Sequence, residues 1–269
     1  MRDNVVNPVI SLLTDFGLRD SYVSEMKAII LSICPRAKIV DISHLVEKFN
    51  IRMGAYILAT AATSFPPATV HVAVVDPGVG GPRRPIVVET AHSLLVGPDN
   101  GLLIPAAQAE SILHVYHVTN RSIMSNQVSA TFHGRDIFAP VAAHLACGTP
   151  VAECGVEITD FSKPSYVQPK LNGKTVLCEV FHIDDFGNMV TNLRATQSPW
   201  DLKASEKFRV SLGNKQFSAR RVNTYSDLRK EEYGLLVGSH GFLEIACKEK
   251  SAAKRVRART GMVVRFSSV

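Results

Sequence analysis

The chain has 269 residues, 46% of them hydrophobic and 20% charged, with a formal net charge of +6 at pH 7. That balance excludes a disordered chain, and the length suffices for a sizeable core in one large domain or two smaller ones. No apolar run is long enough to span a bilayer and no signal-peptide pattern follows MRDNVVNP, so a cytoplasmic globular protein is expected.

In chain order, the first strand signal is VISLLTD, Val9 to Asp15. Tyr22, Met26, Ile29, Ile30 and Ile33 then recur at helical spacing until Pro35. KIVDIS predicts a second strand, and a helical pattern runs through Met53, Tyr56, Ile57 and Ala61. Pro66 and Pro67 close it before TVHVAVVD. The order βαβαβ predicts a mainly parallel sheet with covering helices, in which ligands sit beyond the carboxyl ends of strands. Asp15 and Asp76 stand at two such ends. A helix-like segment spans Asp136 to Cys147, and ITDFSKPSYVQPKLNGK, with two prolines and no periodicity, reads as a linker. Beyond Thr175 the runs VLCEVFHID, NMVTNL, FRVSLG, GLLVG, FLEIACK and RVRAR with MVVRF are short and β-like. They predict a small antiparallel barrel or sandwich. The expected fold is therefore an α/β domain over residues 1–163 and a smaller all-β, barrel-like domain over 173–269.

VAVVDPGVGGPRR, Val72 to Arg84, has the form of a buried strand that delivers a carboxylate into a site. With FHGRD, Phe132 to Asp136, it offers Asp76, Arg83 and His133 as an acid, a cation and an imidazole able to prepare water for attack. Glycines 78, 80 and 81 would let the backbone approach a reacting carbon. Taken singly, Asp76-Pro77-Gly78 is an ordinary turn, His133 a structural histidine and Asp136 a helix cap. Arg84 reads as solvated, and Asn100 in PDNG as a turn residue that shapes a loop of the site.

Other readings are weaker. VDPGVGG is followed by no Gly-Lys-Ser or Gly-Lys-Thr, so it is not a phosphate-cradling loop, and DFG precedes HGRD, the reverse of kinase order. No tight ligand cluster such as H-x-H or H-E-x-x-H is present, so no metal is expected. The five cysteines, 34, 147, 154, 178 and 247, are odd in number and never spaced C-x-x-C. They read as reduced and mostly buried, with no disulfide framework. KEKSAAKRVRAR, Lys248 to Arg259, holds six basic residues and one acidic, hence five of the six net charges. Read as a strand, RVRAR would put Arg255, Arg257 and Arg259 on one face, a cationic ridge suited to a nucleic-acid-binding module.

TDFGLRDSYV, VVDPGVGGPRR, VGPDNGLL, FHGRDIFAP, IDDFGNMVTNL and GSHGFLEIA occur in one order along nearly the whole chain, residues 9 to 247. In that order the chain resembles the S-adenosylmethionine (SAM) hydrolases, or SAM hydroxide adenosyltransferases, relatives of the fluorinase and chlorinase enzymes. The resemblance implies an N-terminal α/β domain, a C-terminal β-barrel, and a homotrimer with substrate at subunit interfaces. It implies hydrolysis of S-adenosyl-L-methionine to adenosine and L-methionine with no cofactor, Asp76, Arg83 and His133 matching a set that the halogenating relatives lack. A halogenating SAM transferase is thus the disfavoured rival. Asp15 resembles the carboxylate that holds both ribose hydroxyls, with Asp20 and Ser21 nearby. Asp184 would hold the methionine ammonium and Asn188 the adenine edge, beside Phe186, and Tyr225 would stack on the purine. Ser239, Glu244 and the backbone near Cys247 resemble the remaining contacts. His240 departs from the pattern, standing where the halogenating relatives carry an arginine.

Overall fold

Strand β1 (Val9–Thr14), helix α1 (Tyr22–Ile33), strand β2 (Lys38–Ser43), helix α2 (Ile51–Ala61) and strand β3 (Val70–Val74) follow one another as the periodicity predicts. A computed structural model describes residues 7–164, 168–202 and 206–268, and the chain divides into two units, Met1–Pro164 and Ser165–Val269. The centre of the predicted linker, residues 165–167, lies outside the described residues.

In the first unit a hairpin of β4 (Pro85–Thr90) and β5 (Leu94–Pro98) leads to α3 (Ile104–Ala109) and β6 (Ile112–Val118). α4 (Ala139–Ala146) and β7 (Gly155–Glu157) complete it. The sheet order is β2-β1-β3-β5-β4-β6-β7. Pairing is parallel across β2-β1-β3-β5 and antiparallel from β5 through β4 and β6 to β7, so only β4 and β7 run against the rest.

Both faces of this sheet are covered, which is why its strands read as continuous apolar runs. Ile10, Leu12, Val72, Val74 and Val87 point to one face and pack with Met26 and Ile30 of α1 and Val141, Ala142 and Leu145 of α4. Leu13, Ala73, Val75, Ile86 and Val88 point to the other, against Ala55 and Leu58 of α2 and Ile104 and Ala107 of α3. The strands are thereby held from both sides, and the loops beyond β1 and β3 begin from a fixed platform.

The expectation of five reduced cysteines is corrected. Cys34 and Cys147 form a disulfide, with Cα atoms 5.9 Å apart across 113 residues of sequence. Each ends a helix, α1 and α4, and these helices are packed neighbours, a juxtaposition that sequence spacing cannot reveal. Cys154, Cys178 and Cys247 are free and buried.

In the second unit β9 (Thr175–Ile183), β10 (Met189–Arg194), β11 (Lys207–Leu212), β12 (Lys215–Arg221), β13 (Tyr233–Val237), β14 (Phe242–Cys247) and β15 (Val263–Ser268) form a closed barrel. β8 (Lys170–Asn172) is appended to β9, and the β10–β9 pairing closes the ring. Alternate residues such as Val176, Cys178, Val180, Phe208, Val210, Val264 and Phe266 fill the interior. The strand β12, KQFSARR, has too little apolar character to be picked out by pattern. At its end Arg221 is 8% exposed, and its Nε and Nη1 have no hydrogen-bond partner among the described residues.

The basic segment is also corrected. It folds as helix α5 (Ala252–Val256), not as a strand, and Arg257 ends it in the left-handed conformation at φ 57°. Ala252, Ala253 and Val256 form a buried helical stripe, and the Ser251 side chain caps the start by accepting from Lys254 N–H. Arg255 lies over the Tyr233 ring at 4.6 Å and donates to the Glu231 carbonyl. The cationic strand face required by the nucleic-acid reading therefore does not form. Among the described residues no helix is long and apolar enough to cross a membrane.

Candidate active site

β3 ends at Val74, and the chain passes through buried Val75 to Asp76, whose side chain is 4% exposed. The turn that follows returns Arg83 onto this carboxylate. Arg83 Nε lies 3.0 and 2.9 Å from Asp76 Oδ1 and Oδ2, and Nη2 also donates to Oδ2. Gly80, at φ +76°, sits so close to Ala130 that a Cβ would lie 2.3 Å from its carbonyl oxygen. This glycine is needed to seat the turn on the segment before His133. Asn100 donates to the Val75 carbonyl and accepts from Leu102 N–H, shaping the adjoining loop as expected.

His133 meets the same guanidinium: Arg83 Nη2 is 2.6 Å from His133 Nδ1. An arginine can only donate, so Nδ1 is the acceptor and the neutral ring carries its proton on Nε2. Burial pushes the His133 pKa below its ordinary value, and the Arg83 charge adds to this against smaller opposing effects of Asp76, Asp136 and the Ser129 backbone. Arg83 stands between Asp76 and His133, bonded to each. A π-helical turn, Gly134–Phe138, follows His133 and brings the Phe138 ring to 5.3 Å from the guanidinium. Such turns recur at functional sites. Arg84 is not solvated: it donates to Asp99 Oδ2 at 2.8 Å and to Asp160 Oδ1 at 2.8 Å. Asp136 is not a cap either, being 2% exposed and paired with Arg135.

A cavity of about 390 Å³ is lined by Asp15, Asp20, Asp76, His133 and neighbouring residues. Ser21 and Arg83 do not line it: Ser21 Oγ donates to Glu25, and Arg83 sits behind the acid and imidazole. Three aromatic rings, Phe16, Tyr22 and Phe132, form one wall, with centroids 5.0 to 5.8 Å apart. Lys48 and Phe49 also line it, and no sequence motif marks them. Lys48 donates to the Asp15 carbonyl, and Phe49 N–H donates to Asp15 Oδ2 at 2.8 Å. Phe49 is 68% exposed and holds φ 64°, a left-handed conformation costly for a bulky residue. Nothing in HLVEKFN signals it.

A second cavity, about 650 Å³, lies in the barrel unit and is lined by Asp184, Phe186, Asn188, Tyr225 and Cys247 with Lys248 to Ser251. In its β9–β10 turn Asp184 accepts from Asn188 N–H at 2.8 Å and from Asn188 Nδ2 at 2.9 Å, leaving the amide oxygen of Asn188 free to accept. Gly187, at φ +83°, faces Ser251 so tightly that a Cβ would fall 2.0 Å from Oγ, and its carbonyl accepts from Ala253 N–H. The turn is thus pinned to α5, and Phe186 is left 82% exposed. Ser239 and Glu244 do not line this cavity. Ser239 is near His240, whereas Glu244, its pKa raised by burial, receives the Tyr225 hydroxyl. Among the described residues no group of three or more His, Cys, Asp or Glu is arranged to hold a metal.

Fold and cavities define a class: an α/β domain that presents a buried acid, guanidinium and imidazole, joined to a β-barrel with a pocket of its own. Residues 10–155 match the SAM hydroxide adenosyltransferase N-terminal domain and residues 178–265 the C-terminal domain of the same name. The chain is 44% identical over 266 residues to the (R)-S-adenosyl-L-methionine hydrolase of Salinispora arenicola, covering 97% of this chain and 98% of that protein. It is 39% identical over 270 residues to that of Salinispora tropica, with the same coverages. A fluorinase from Nocardia brasiliensis is 27% identical over 289 residues, covering 96% of each chain. The crystal structure of an uncharacterized conserved protein from Thermotoga maritima superposes with a TM-score of 0.91 at 36% identity, covering 96% of this chain and 99% of that one. The chain belongs to the SAM hydroxide adenosyltransferase family.

Proposed function

We propose that the protein hydrolyses S-adenosyl-L-methionine to adenosine and L-methionine by in-line attack of water on the ribose 5′ carbon. The observation that carries the reading is Asp76 and His133 at one wall of a cavity with Arg83 bonded to both behind them, in a chain whose full-length relatives are SAM hydrolases. The substrate's sulfonium leaves as a neutral thioether, so no general acid is required. What the protein must supply is a positioned nucleophile.

Arg83 consumes the Nδ1 lone pair of His133, so the neutral imidazole donates through Nε2–H and orients the water. Asp76 is the group left to accept the water's proton as attack proceeds. The negative charge of Asp76 and the positive charge of the sulfonium cancel as the water's proton moves and the bond forms, so the buried surroundings favour the reaction. Asp15, with Oδ2 on Phe49 N–H, is assigned to the ribose diol. Asp184, Phe186, Asn188 and Tyr225, with Cys247, are assigned to the methionine and adenine ends, and Ser239 and Glu244 support them. Asp20 and Ser21 are assigned to the edge of the same substrate.

The homotrimer with sites at subunit interfaces, and the cytoplasmic setting, belong to this proposal. Its support is that each cavity holds only part of the required chemistry. The test is incubation of the purified protein with SAM in oxygen-18 water, with and without halide, and mass analysis of the products. Adenosine labelled at its 5′ oxygen, with methionine, is expected. A halogenated nucleoside, or no turnover, would overturn the reading.

A further inference from the structure

Asp136 is a buried carboxylate that neither cavity uses. It stands three residues after His133, inside the π-helical turn, and is 2% exposed. Burying a charge is costly unless it is paired and hydrogen-bonded, and here the pairing is extensive. Oδ2 accepts from Ser129 N–H at 2.8 Å, the Asp136 carbonyl accepts from Ser125 N–H at 2.9 Å, and its own N–H donates to the Phe132 carbonyl at 3.1 Å. One residue therefore grips three points of the segment that leads into His133.

Arg135 locks that grip. Its Nε lies 2.7 Å from Asp136 Oδ1 and its Nη2 3.2 Å from Oδ2, while Nη1 reaches Glu25 on α1 at 2.9 Å. Its guanidinium also lies 5.1 Å from the Phe132 ring centroid. We propose that Asp136, braced by Arg135 and acting through the Ser129 peptide, is a positioning residue that sets the orientation of His133 toward Arg83. This rests on the assignment of His133 to the reaction described above.

Asp136 also bears on the imidazole's charge state. Of the groups facing His133, burial and Arg83 disfavour the protonated ring, and Asp76, Asp136 and the Ser129 backbone favour it. Loss of the Asp136 charge alone should move the ring's titration to lower pH. Loss of the acceptor as well should free the Ser129–His133 segment.

The test uses Asp136→Asn, which keeps size and one acceptor, and Asp136→Ala, which keeps neither. SAM turnover is measured with kcat and KM separated, and the His133 ring is titrated by NMR in the substrate-free protein, assigned with His133→Gln. Expected are a kcat lower by about 10-fold in Asp136→Asn and about 100-fold in Asp136→Ala, KM changed less than about threefold, and a downward shift of the His133 midpoint in Asp136→Asn. A folded Asp136→Asn with the parent's kcat and the parent's His133 titration would overturn the proposal, as would equal losses in kcat and substrate affinity. Should Asp136→Ala not fold, Asp136→Asn decides alone. Turnover and the NMR midpoint separate the two readings: if the parent never cleaves SAM, the activity assignment fails, and the His133 midpoint then tests the placement alone, an unchanged midpoint in Asp136→Asn overturning it.

Discussion

The two cavities are built on opposite plans. In the α/β domain the reactive groups are withdrawn and committed: Asp76 and Arg83 side chains are 4% and 10% exposed, and Arg83 Nε and Nη2 are engaged with Asp76 and His133. In the barrel two aromatic lining residues stand in the open, Phe186 82% exposed on the β9–β10 turn, where Asp184 accepts from Asn188, and Tyr225 50% exposed on a separate turn, Tyr225–Asp227. The difference separates two tasks. A pre-organised charge set loses its function when any member is disturbed, whereas an exposed aromatic rim contributes area and little to folding.

The comparison can be broken most severely at Asp76 or His133. Asp76→Ala and His133→Ala should each lower kcat by about 10² to 10⁴-fold while the KM for SAM changes much less. Steady-state kinetics that showed the larger loss in substrate affinity would move these residues from chemistry to binding.

Stability against pH gives the next effect. His71, fully buried with Nδ1 2.6 Å from Ser11 Oγ, has its pKa lowered to about 4 by burial. The folded pKa lies below the unfolded one, so between about pH 6.5 and 4 the unfolded chain binds the extra proton and stability falls with acidification, levelling off below. The loss attributable to this group is roughly 3 kcal/mol. Chemical denaturation at pH 7 and pH 4.5 should show a smaller pH dependence in His71→Gln, and an unchanged dependence would exclude His71 as its source.

In the barrel, Phe186→Ala should raise the KM for SAM by roughly 10-fold with kcat nearly retained and with stability within about 0.5 kcal/mol of the parent. A loss confined to kcat would erase the contrast between the two cavities. The smallest effect is expected at Arg221, where burial, with no partner for Nε and Nη1 among the described residues, opposes the charge. Arg221→Met should be neutral or stabilising by about 1 kcal/mol, since replacing a buried charge with an apolar side chain of similar volume often is. A fall in the thermal midpoint would mean that the guanidinium has a use inside the barrel.

Much of this was legible in the residues. The βαβαβ order showed because α1 and α2 keep a 3.6-residue period and proline closes each. Asp76 and His133 showed because glycine-rich turns and a six-motif order surround them. What stayed hidden depends on the third dimension. RVRAR alternates like a strand, yet Ala252 and Ala253 just before it make a buried helical stripe with Val256. KQFSARR pairs as a strand through its backbone, without the apolar period that would announce it. Lys48 and Phe49 reach the cavity only because their backbone wraps the Asp15 carboxylate. Arg83 was visible as a cation, but its place between acid and imidazole required coordinates.

The Cys34–Cys147 bond makes the first domain a covalent ring that runs from the end of α1 to the end of α4. Asp76, Arg83 and His133 all lie on the ring, while Asp15 and the whole barrel hang outside it. A protease that cuts once between residues 34 and 147 would leave the fragments travelling as one species on a denaturing gel until reductant is added, whereas a cut between residue 147 and the first barrel strand at Thr175 would release the barrel at once.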